Sequence, residues 1–532
     1  MSLSTPDIAD ATRVLRETFG HKEFWPGQRA ALEAVLAGGD VLAVAPTGAG
    51  KSLLYQLPAA LRPGLVVVVS PLIALMRDQL RGLDGLGVPA AALHSGEDDY
   101  DYARACEGVA AGRLRLLYVS PEGLAQERVI QLLRKRRVTL LAVDEAHCIS
   151  YWGHEFRPEY AALGGIARRL GDPPILAVTA SAGPRTRDDI IASLFTRPPS
   201  VFVNSFARGN LRLAFRQRRG GMDQLADFAR RHSGSSGIIY CNSRRKADVL
   251  ARDFRNLGFD ALAYHAGLDA EQRSAHQDAF FTRKGVIMVA TIAFGMGVDK
   301  RDVRFVGHAD PPDSIEGYYQ EIGRAGRDGL DAETLLLYEG RDLAQRWAPP
   351  PALESDALAF AAFMRRRAMA RLCIAPGCRM KALLAEFGEE SGACGRCDHC
   401  RGMLALPRRG GAFMQGLKTK FLSRLVALAE GAGSGEAVDR EPAPALEDVF
   451  SPSPDRALSV AQERLLREFF AARLDLARRR GLPPQRIACD SALRRLACAP
   501  SSDKASSEAA LEGMTRQDAQ VFLRILQQSR QE

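Results

Sequence analysis

From Val41 to Thr179 the chain repeats one pattern: an apolar run, a turn, then a helical stretch. The apolar runs are VLAVA at 41–45, LVVVVS at 65–70, LRLLYVS at 114–120, TLLAV at 139–143 and ILAVTA at 175–180. Strands that alternate with helical segments predict a parallel sheet covered by helices on both faces. The pattern then starts again with GIIYC at 237–241, ALAYH at 261–265, VIMVAT at 286–291, VRFVGH at 303–308 and ETLLLY at 333–338. A second sheet of similar size follows, with Phe206–Gln224 as the hinge between the two.

After about residue 341 the strand signal stops. Ala359–Arg371 (AFAAFMRRRAMAR) reads as a basic amphipathic helix that leads into a cluster of cysteines. Gly431–Asp455, rich in Gly, Ser, Pro and acidic residues, reads as linker or partly disordered. From Leu458 the pattern is helical to the end.

A chain of 532 residues holds roughly three to five domains. Its uncharged segments, such as Pro63–Met76, fall short of the about 20 residues that span a bilayer. Met1–Asp10 has two aspartates and no apolar run, which does not fit a signal peptide. A cytoplasmic protein with no membrane partner is expected, on the nucleoid if the source is bacterial. The net charge of +9 favours a polyanionic partner without requiring one.

Ala45–Ser52 (APTGAGKS) lies between a predicted strand and a predicted helix, the context in which backbone N–H groups and a helix N-terminus bind phosphate. Thr47, Gly48, Ala49 and Gly50 would form the cradle. Lys51 would reach the terminal phosphates and Ser52 would bind magnesium. Asp144 and Glu145 follow TLLAV, at the carboxyl end of a strand, where α/β sheets hold ligands. Asp144 is expected to hold magnesium through water and Glu145 to polarise the attacking water. Tyr151, Trp152, His154, Phe156, Arg157 and Tyr160 follow at once and offer faces on which bases can stack; the alternative for Trp152 and Phe156 is core packing. Arg324 and Arg327, three apart and read as one face of a helix, are expected to bring positive charge to the transition state from the other lobe.

Cys378 is followed by Cys394, Cys397 and Cys400. Four thiolates at this spacing suit tetrahedral zinc, with an iron–sulfur cluster or free buried cysteines as alternatives. Cys373 and His399 lie close by, the latter crowded between Cys397 and Cys400.

Taken in order, these residues resemble superfamily 2 helicases and, in detail, the RecQ family of DNA helicases, over most of residues 10–405. Phe24–Gln28 (FWPGQ) is similar to the family's adenine-reading segment, with His21, Trp25 and Gln28 at the base; Trp25 stands where the family usually has Arg. Ser70–Gln79 (SPLIALMRDQ), Tyr118–Glu122 (YVSPE) and Thr179–Ser181 (TAS) resemble strand-contacting and coupling motifs of the first lobe. Tyr240–Arg244 (YCNSR), Tyr264–Gly267 (YHAG) and Ala290–Lys300 (ATIAFGMGVDK) resemble those of the second. The resemblance implies nucleotide contacts from Gly297 and Asp299, and DNA contacts from Ser70, Arg244 and Thr291. It also implies a DNA-sensing role for the aromatic segment, in which Tyr151 replaces the usual Gln.

What the resemblance implies is an α/β fold of two tandem RecA-like lobes at 1–205 and 206–340. A helical zinc-binding module at 341–405 would follow, held by Cys378, Cys394, Cys397 and Cys400, and its zinc would hold the arginines Arg365, Arg366 and Arg367 against the second lobe as a basic platform. Residues 406–455 would be a linker or truncated winged-helix remnant, and 456–532 a helical HRDC-like domain. The implied activity is 3′–5′ DNA unwinding in recombination and repair with ATP, Mg2+ and Zn2+. The implied partners are single-stranded and partly duplex DNA, together with a single-strand-binding protein or other repair factors. The rivals are an RNA helicase of the DEAD-box kind and a zinc-stabilised nucleic-acid-binding protein without a working motor.

Overall fold

The computed structural model of the protein describes residues 7–94, 99–153, 156–295, 300–347 and 357–405, the helix Arg516–Ser529 and eight positions between 465 and 496. Two units divide the chain, residues 1–432 and 433–532.

In the first unit the apolar runs are strands. β1 (Val41–Val44), β2 (Leu65–Val69), β3 (Ala90–Leu93), β4 (Leu116–Val119), β5 (Val138–Val143), β6 (Ile175–Thr179) and β7 (Ser200–Val203) form one sheet, in the order β3-β4-β2-β5-β6-β1-β7. β8 (Leu211–Gln217), β9 (Gly237–Tyr240), β10 (Ala261–Tyr264), β11 (Ile287–Ala290), β12 (Phe305–His308) and β13 (Ala332–Tyr338) form the second, in the order β10-β11-β9-β12-β13-β8. Every pairing described is parallel. Central strands such as β2, LVVVV, are buried at every position because helices cover both faces.

Three strands escape the apolar-run reading. β3 is AAAL, with weak β propensity. β7 is an edge strand with Val201 and Val203 exposed. β8, LRLAFRQ, alternates buried and half-buried positions before two exposed ones. The stretch 206–224 is therefore more than a hinge, since β8 pairs with β13 from Leu211↔Ala332 to Gln217↔Tyr338.

Sheet order decides what meets at the carboxyl ends. β6 lies between β5 and β1, so the turn after β6 stands between the turn that bears the glycines and the turn that bears the carboxylates.

The basic helix spans Ala357–Ile374, followed by helices Arg379–Glu386 and Asp398–Ala405. No described helix is long and apolar enough to cross a membrane. The linker or winged-helix remnant expected at 406–455 lies outside the described residues. The helical domain expected at 456–532 is described only at the helix Arg516–Ser529 and at scattered helical positions, where Phe469 meets Phe522 edge-on at 5.9 Å.

Candidate functional site

The glycine turn leaves β1 and enters the helix Leu53–Leu61. Gly48 and Gly50 have φ of +86° and +64°, which glycine adopts without strain. A Cβ on Gly50 would also stand 2.6 Å from Gln28 Nε2. Lys51 Nζ donates to the carbonyls of Ala45 at 3.0 Å and Pro46 at 3.3 Å, folded back along the turn. Burial holds its ammonium below the usual range; Glu145 and Asp144 oppose this and Arg327 adds to it. Residues from both lobes thus share one electrostatic neighbourhood.

Gln28 is buried, and its amide faces the turn: Oε1 accepts from the Trp25 N–H at 3.0 Å, and Nε2 donates to the carbonyls of Gly50 at 2.7 Å and Ala49 at 3.2 Å. The side chain expected to read a base braces the phosphate turn. His21 and Trp25 are exposed beside it.

Asp144 extends the β5–β2 ladder, its N–H donating to the Val69 carbonyl at 2.9 Å. Burial and the Glu145 carboxylate push its carboxyl up to about 7, against Lys51. Glu145 has φ +48° and ψ +45°, a conformation that costs a non-glycine residue on the order of 1 kcal/mol. That bend turns its carboxylate toward His147, with Oε2 3.2 Å from Nδ1. The same nitrogen is 2.9 Å from Thr179 Oγ1 at the end of β6. Thr179 Oγ1 accepts from the Ser181 N–H at 3.4 Å, and Ser181 Oγ accepts from Gln320 Nε2 at 3.2 Å. A continuous polar path therefore runs from Glu145 to the second lobe.

Arg324 and Arg327 do not sit on a helix face. The helix Ile315–Ile322 ends before them, and both lie in the turns that follow, where Gly326 takes φ +61°. Glycines at 323, 326 and 329 break the helical repeat. Arg324 is buried, and its Nε meets no hydrogen-bond acceptor among the described residues.

The donor set suits a magnesium nucleotide. Two carboxylates and the Ser52 hydroxyl are hard oxygen ligands, and the crowding that raises Asp144 is relieved by a cation.

In the aromatic segment Tyr151, 40% exposed, stacks on Phe156 at 4.1 Å between ring centroids. Trp152 is half-buried, with the Arg185 guanidinium over its ring at 5.1 Å and Phe360 edge-on at 6.2 Å. Arg365 donates to the Tyr151 carbonyl. Neither full core packing nor a free face describes Trp152: the helix Ala357–Ile374 reaches across to hold this segment, which no sequence signal announced. Arg157 approaches Glu122 at 3.9 Å. Tyr160, expected among the stacking faces, is 1% exposed and donates its hydroxyl to the Asp144 carbonyl at 3.0 Å. It anchors the segment to the carboxylate turn.

Of the remaining predicted contacts, Arg244 is exposed at the start of the helix Arg244–Asn256, and Thr291 is half-buried after β11. Ser70 is 1% exposed, because its N–H extends the β2–β4 ladder to the Val119 carbonyl at 3.1 Å and draws the residue into the sheet. His154, Gly297 and Asp299 lie outside the described residues.

The sulfurs of Cys378, Cys394, Cys397 and Cys400 lie within 4.8 Å of one another. Backbone N–H groups point at them, among them Cys394 to Cys378 Sγ at 3.2 Å and Cys397 to Cys394 Sγ at 3.3 Å. Burial raises the Cys378 thiol, but the N–H donors of Cys394 and Lys381 outweigh it and bring the group down to about 7. Four converging thiols with such donors fit a closed tetrahedral zinc site. Cys373, which burial pushes up to about 12, stays outside the cluster.

The module meets the second lobe through Asp398, which accepts from the Phe215 N–H at 3.0 Å and Arg379 Nε at 3.1 Å. The arginine-rich helix packs against the helix Ile315–Ile322 of the second lobe, where Glu316 acts on Arg365. Arg365 also donates to the Tyr151 carbonyl of the first lobe, Arg367 lies over Trp347 at 5.5 Å, and all three arginines are half-buried, so an open basic platform is not what they form.

A phosphate turn and paired carboxylates on one parallel sheet, with Arg327 of a second sheet acting on the Lys51 of that turn, define a two-lobed helicase motor of superfamily 2. Residues 25–190 match the DEAD/DEAH box helicase family, residues 220–329 the helicase conserved C-terminal domain, and residues 358–401, which include all four clustered cysteines, the RecQ zinc-binding family. The chain belongs to the RecQ family.

Among its relatives, the ATP-dependent DNA helicase RecQ of Pasteurella multocida (strain Pm70) is 44% identical over 393 residues, 73% of this chain and 62% of that protein. The protein of the same name in Haemophilus influenzae is 43% identical, over 73% and 63%, and that of Bacillus subtilis 37%, over 73% and 66%. The chain thus spans less than two thirds of the length of these relatives. Among solved structures, the helicase MrfA bound to DNA superposes with a TM-score of 0.53 at 16% identity, covering 70% of this chain and 55% of that one. Mss116p bound to ssRNA and AMP-PNP gives 0.53 at 17%, covering 65% and 77%. At such identities the likeness is one of fold.

Proposed function

We propose that this protein is an ATP- and Mg2+-dependent DNA helicase whose hydrolysis is stimulated by single-stranded DNA and which moves 3′–5′, acting in recombination and repair in the cytoplasm, on the nucleoid if the source is bacterial. The observation that carries this reading is that Lys51, Asp144 and Glu145 of the first lobe share one electrostatic neighbourhood with Arg327 of the second, beside the bond from Gln320 to Ser181 that joins the lobes. The polarity and the cellular role rest on family membership alone. The domain boundaries stand as proposed above, with an HRDC-like domain at the end of the chain.

The turn Thr47–Ser52 cradles the phosphates with its N–H groups, and Lys51 swings from the Ala45 and Pro46 carbonyls to the terminal phosphates. Magnesium, when bound, neutralises developing charge on the phosphates. Asp144 and Ser52 would hold it, and Glu145 would orient the attacking water, with His147 fixing the carboxylate. Arg327, with Arg324 behind it, stabilises the transition state only when the lobes are apposed, so hydrolysis depends on lobe position. Tyr151, Trp152 and Phe156 stack on bases at roughly 1 to 3 kcal/mol per base, enough to displace the segment from Phe360 and Arg365. Because Tyr160 ties that segment to the Asp144 carbonyl, its displacement is felt at the hydrolytic site. Arg157, Arg244 and Thr291 contact the strand alongside.

The test is strand separation on duplexes with a 3′ or a 5′ single-stranded tail, with ATP and Mg2+ each present or omitted. Unwinding of the 3′-tailed duplex alone, dependent on both, is expected; preference for the 5′ tail would refute the polarity.

A further inference from the structure

The segment between the two sheets makes contacts that the mechanism above leaves unused. Phe206, 1% exposed, stacks on Phe387 at 4.5 Å and meets Tyr319 edge-on at 5.6 Å, and its carbonyl accepts from the Tyr319 hydroxyl at 2.9 Å. Phe387 belongs to the cysteine module and Tyr319 to the helix that ends just before the two arginines, so one ring joins both. Glu389 of that module holds the same segment, accepting from Ser205 Oγ at 2.6 Å and the Phe206 N–H at 2.7 Å.

Two residues on, Arg208 lays its guanidinium along the arginine-bearing turn. Nη1 donates to the Gly323 carbonyl at 3.4 Å, and Nη2 to those of Ala325 at 3.0 Å and Gly326 at 3.1 Å. Asn210 Nδ2 donates to the carbonyls of Gly326 at 2.8 Å and Leu330 at 2.9 Å. A Cβ on Gly326 would stand 2.5 Å from that amide nitrogen, which shows how closely the turn is gripped. Gly323 caps the helix Ile315–Ile322, at the negative end of its dipole, and the carbonyls of Ala325 and Gly326 lie in the turns beyond it, outside any helical ladder. A planar guanidinium with donors in a fixed fork suits several such carbonyls at once, and a lysine ammonium does not.

We propose that Arg208, seconded by Asn210, is a positioning residue for hydrolysis: it fixes the main chain of residues 323–326 and so sets where Arg324 and Arg327 point. The inference rests on the reading of Arg327 as the transition-state cation. Since the same segment is anchored to the cysteine module through Phe206 and Glu389, that module and the motor share one support.

Full-length, zinc-loaded protein is compared as parent, Arg208→Ala, Arg208→Lys, Asn210→Ala and Arg327→Ala, by ATP hydrolysis at saturating single-stranded DNA, thermal melting, and binding of ADP alone or with aluminium fluoride. A misplacement of about 1 Å costs up to ~100-fold in rate, so Arg208→Ala should lose about ten- to a hundredfold in kcat. The KM for ATP and the affinity for ADP alone should hold within about threefold, while ADP with aluminium fluoride loses affinity in step with kcat. Arg208→Lys should recover part of the rate, and Asn210→Ala should lose less than Arg208→Ala. A kcat for Arg208→Ala within about twofold of the parent, with Arg327→Ala inactive, would overturn the inference and leave Arg327 in its role. Full activity in Arg327→Ala would overturn both. If Arg208→Ala does not fold, Arg208→Lys decides: a kcat equal to the parent's overturns the inference, and a reduced kcat at unchanged melting temperature supports it.

Discussion

Gln320 in the second lobe donates from Nε2 to Ser181 Oγ in the first at 3.2 Å. Through Thr179 and His147 this contact continues to Glu145. A hydrogen bond contributes roughly 0.5 to 1.5 kcal/mol net, so its loss at a coupling step is worth a factor of about 2 to 10 in rate. Ser181→Ala and Gln320→Ala should each lower DNA-stimulated kcat by that much, and the double variant should fall no further. Additive losses in that double-mutant cycle would mean the two side chains act separately.

Burial and the neighbouring Glu145 carboxylate push the Asp144 carboxyl up to about 7 in the folded protein, against 3.8 for a solvated aspartate as in the unfolded chain. The folded state therefore binds the proton more tightly, and stability falls as pH rises from about 4 to about 7. Asp144→Asn removes that penalty. In nucleotide-free protein it should melt about 2 to 4 °C above the parent at pH 8 per kcal/mol relieved, with the gap closing toward pH 4, while ATP hydrolysis is lost. Melting curves across pH that run parallel for the two proteins would show that the carboxyl is not held protonated by burial.

Much of this site is legible in the sequence. Lys51, Asp144, Glu145 and the four cysteines announce themselves because the chemistry needs those residue types at fixed short spacing, and the strands that carry them are continuous apolar runs. What the sequence hid is long-range. Nothing near Gln28 says that its amide will face Gly50, or near Phe360 and Arg365 that they will meet Trp152 and the Tyr151 carbonyl. Tyr160 and Ser70 read as residues that face nucleic acid, yet both are buried, Tyr160 packed in the core with its hydroxyl on the Asp144 carbonyl and Ser70 in the sheet beside Val119. The helix assumed for Arg324 and Arg327 failed on three glycines whose breaking effect was in plain view.

Trp152 packs between Arg185 and Phe360 rather than within the sheet core. Trp152→Ala should leave DNA affinity within about fivefold, since one stacking contact is worth about 1 kcal/mol at the low end. It should remove most of the stimulation of hydrolysis by DNA. Stimulation equal to the parent's would return this ring to a packing role.

The cysteine cluster predicts about one zinc per chain by elemental analysis. Cys397→Ser should lose the metal and lower the melting temperature, because structural zinc sites contribute folding energy directly and Asp398 beside it secures Phe215 of β8. Iron in place of zinc, or protein fully folded without metal, would contradict the assignment.

The central claim is that hydrolysis at Lys51, Asp144 and Glu145 is switched on by DNA. The most direct measurement is ATP turnover with Mg2+ and no nucleic acid, single-stranded DNA, duplex DNA or RNA, alongside Lys51→Ala. The account predicts low basal turnover, the largest stimulation by single-stranded DNA, and a Lys51→Ala protein that still binds DNA but does not turn over. Greater stimulation by RNA than by DNA, or no hydrolysis with any of them, would contradict it.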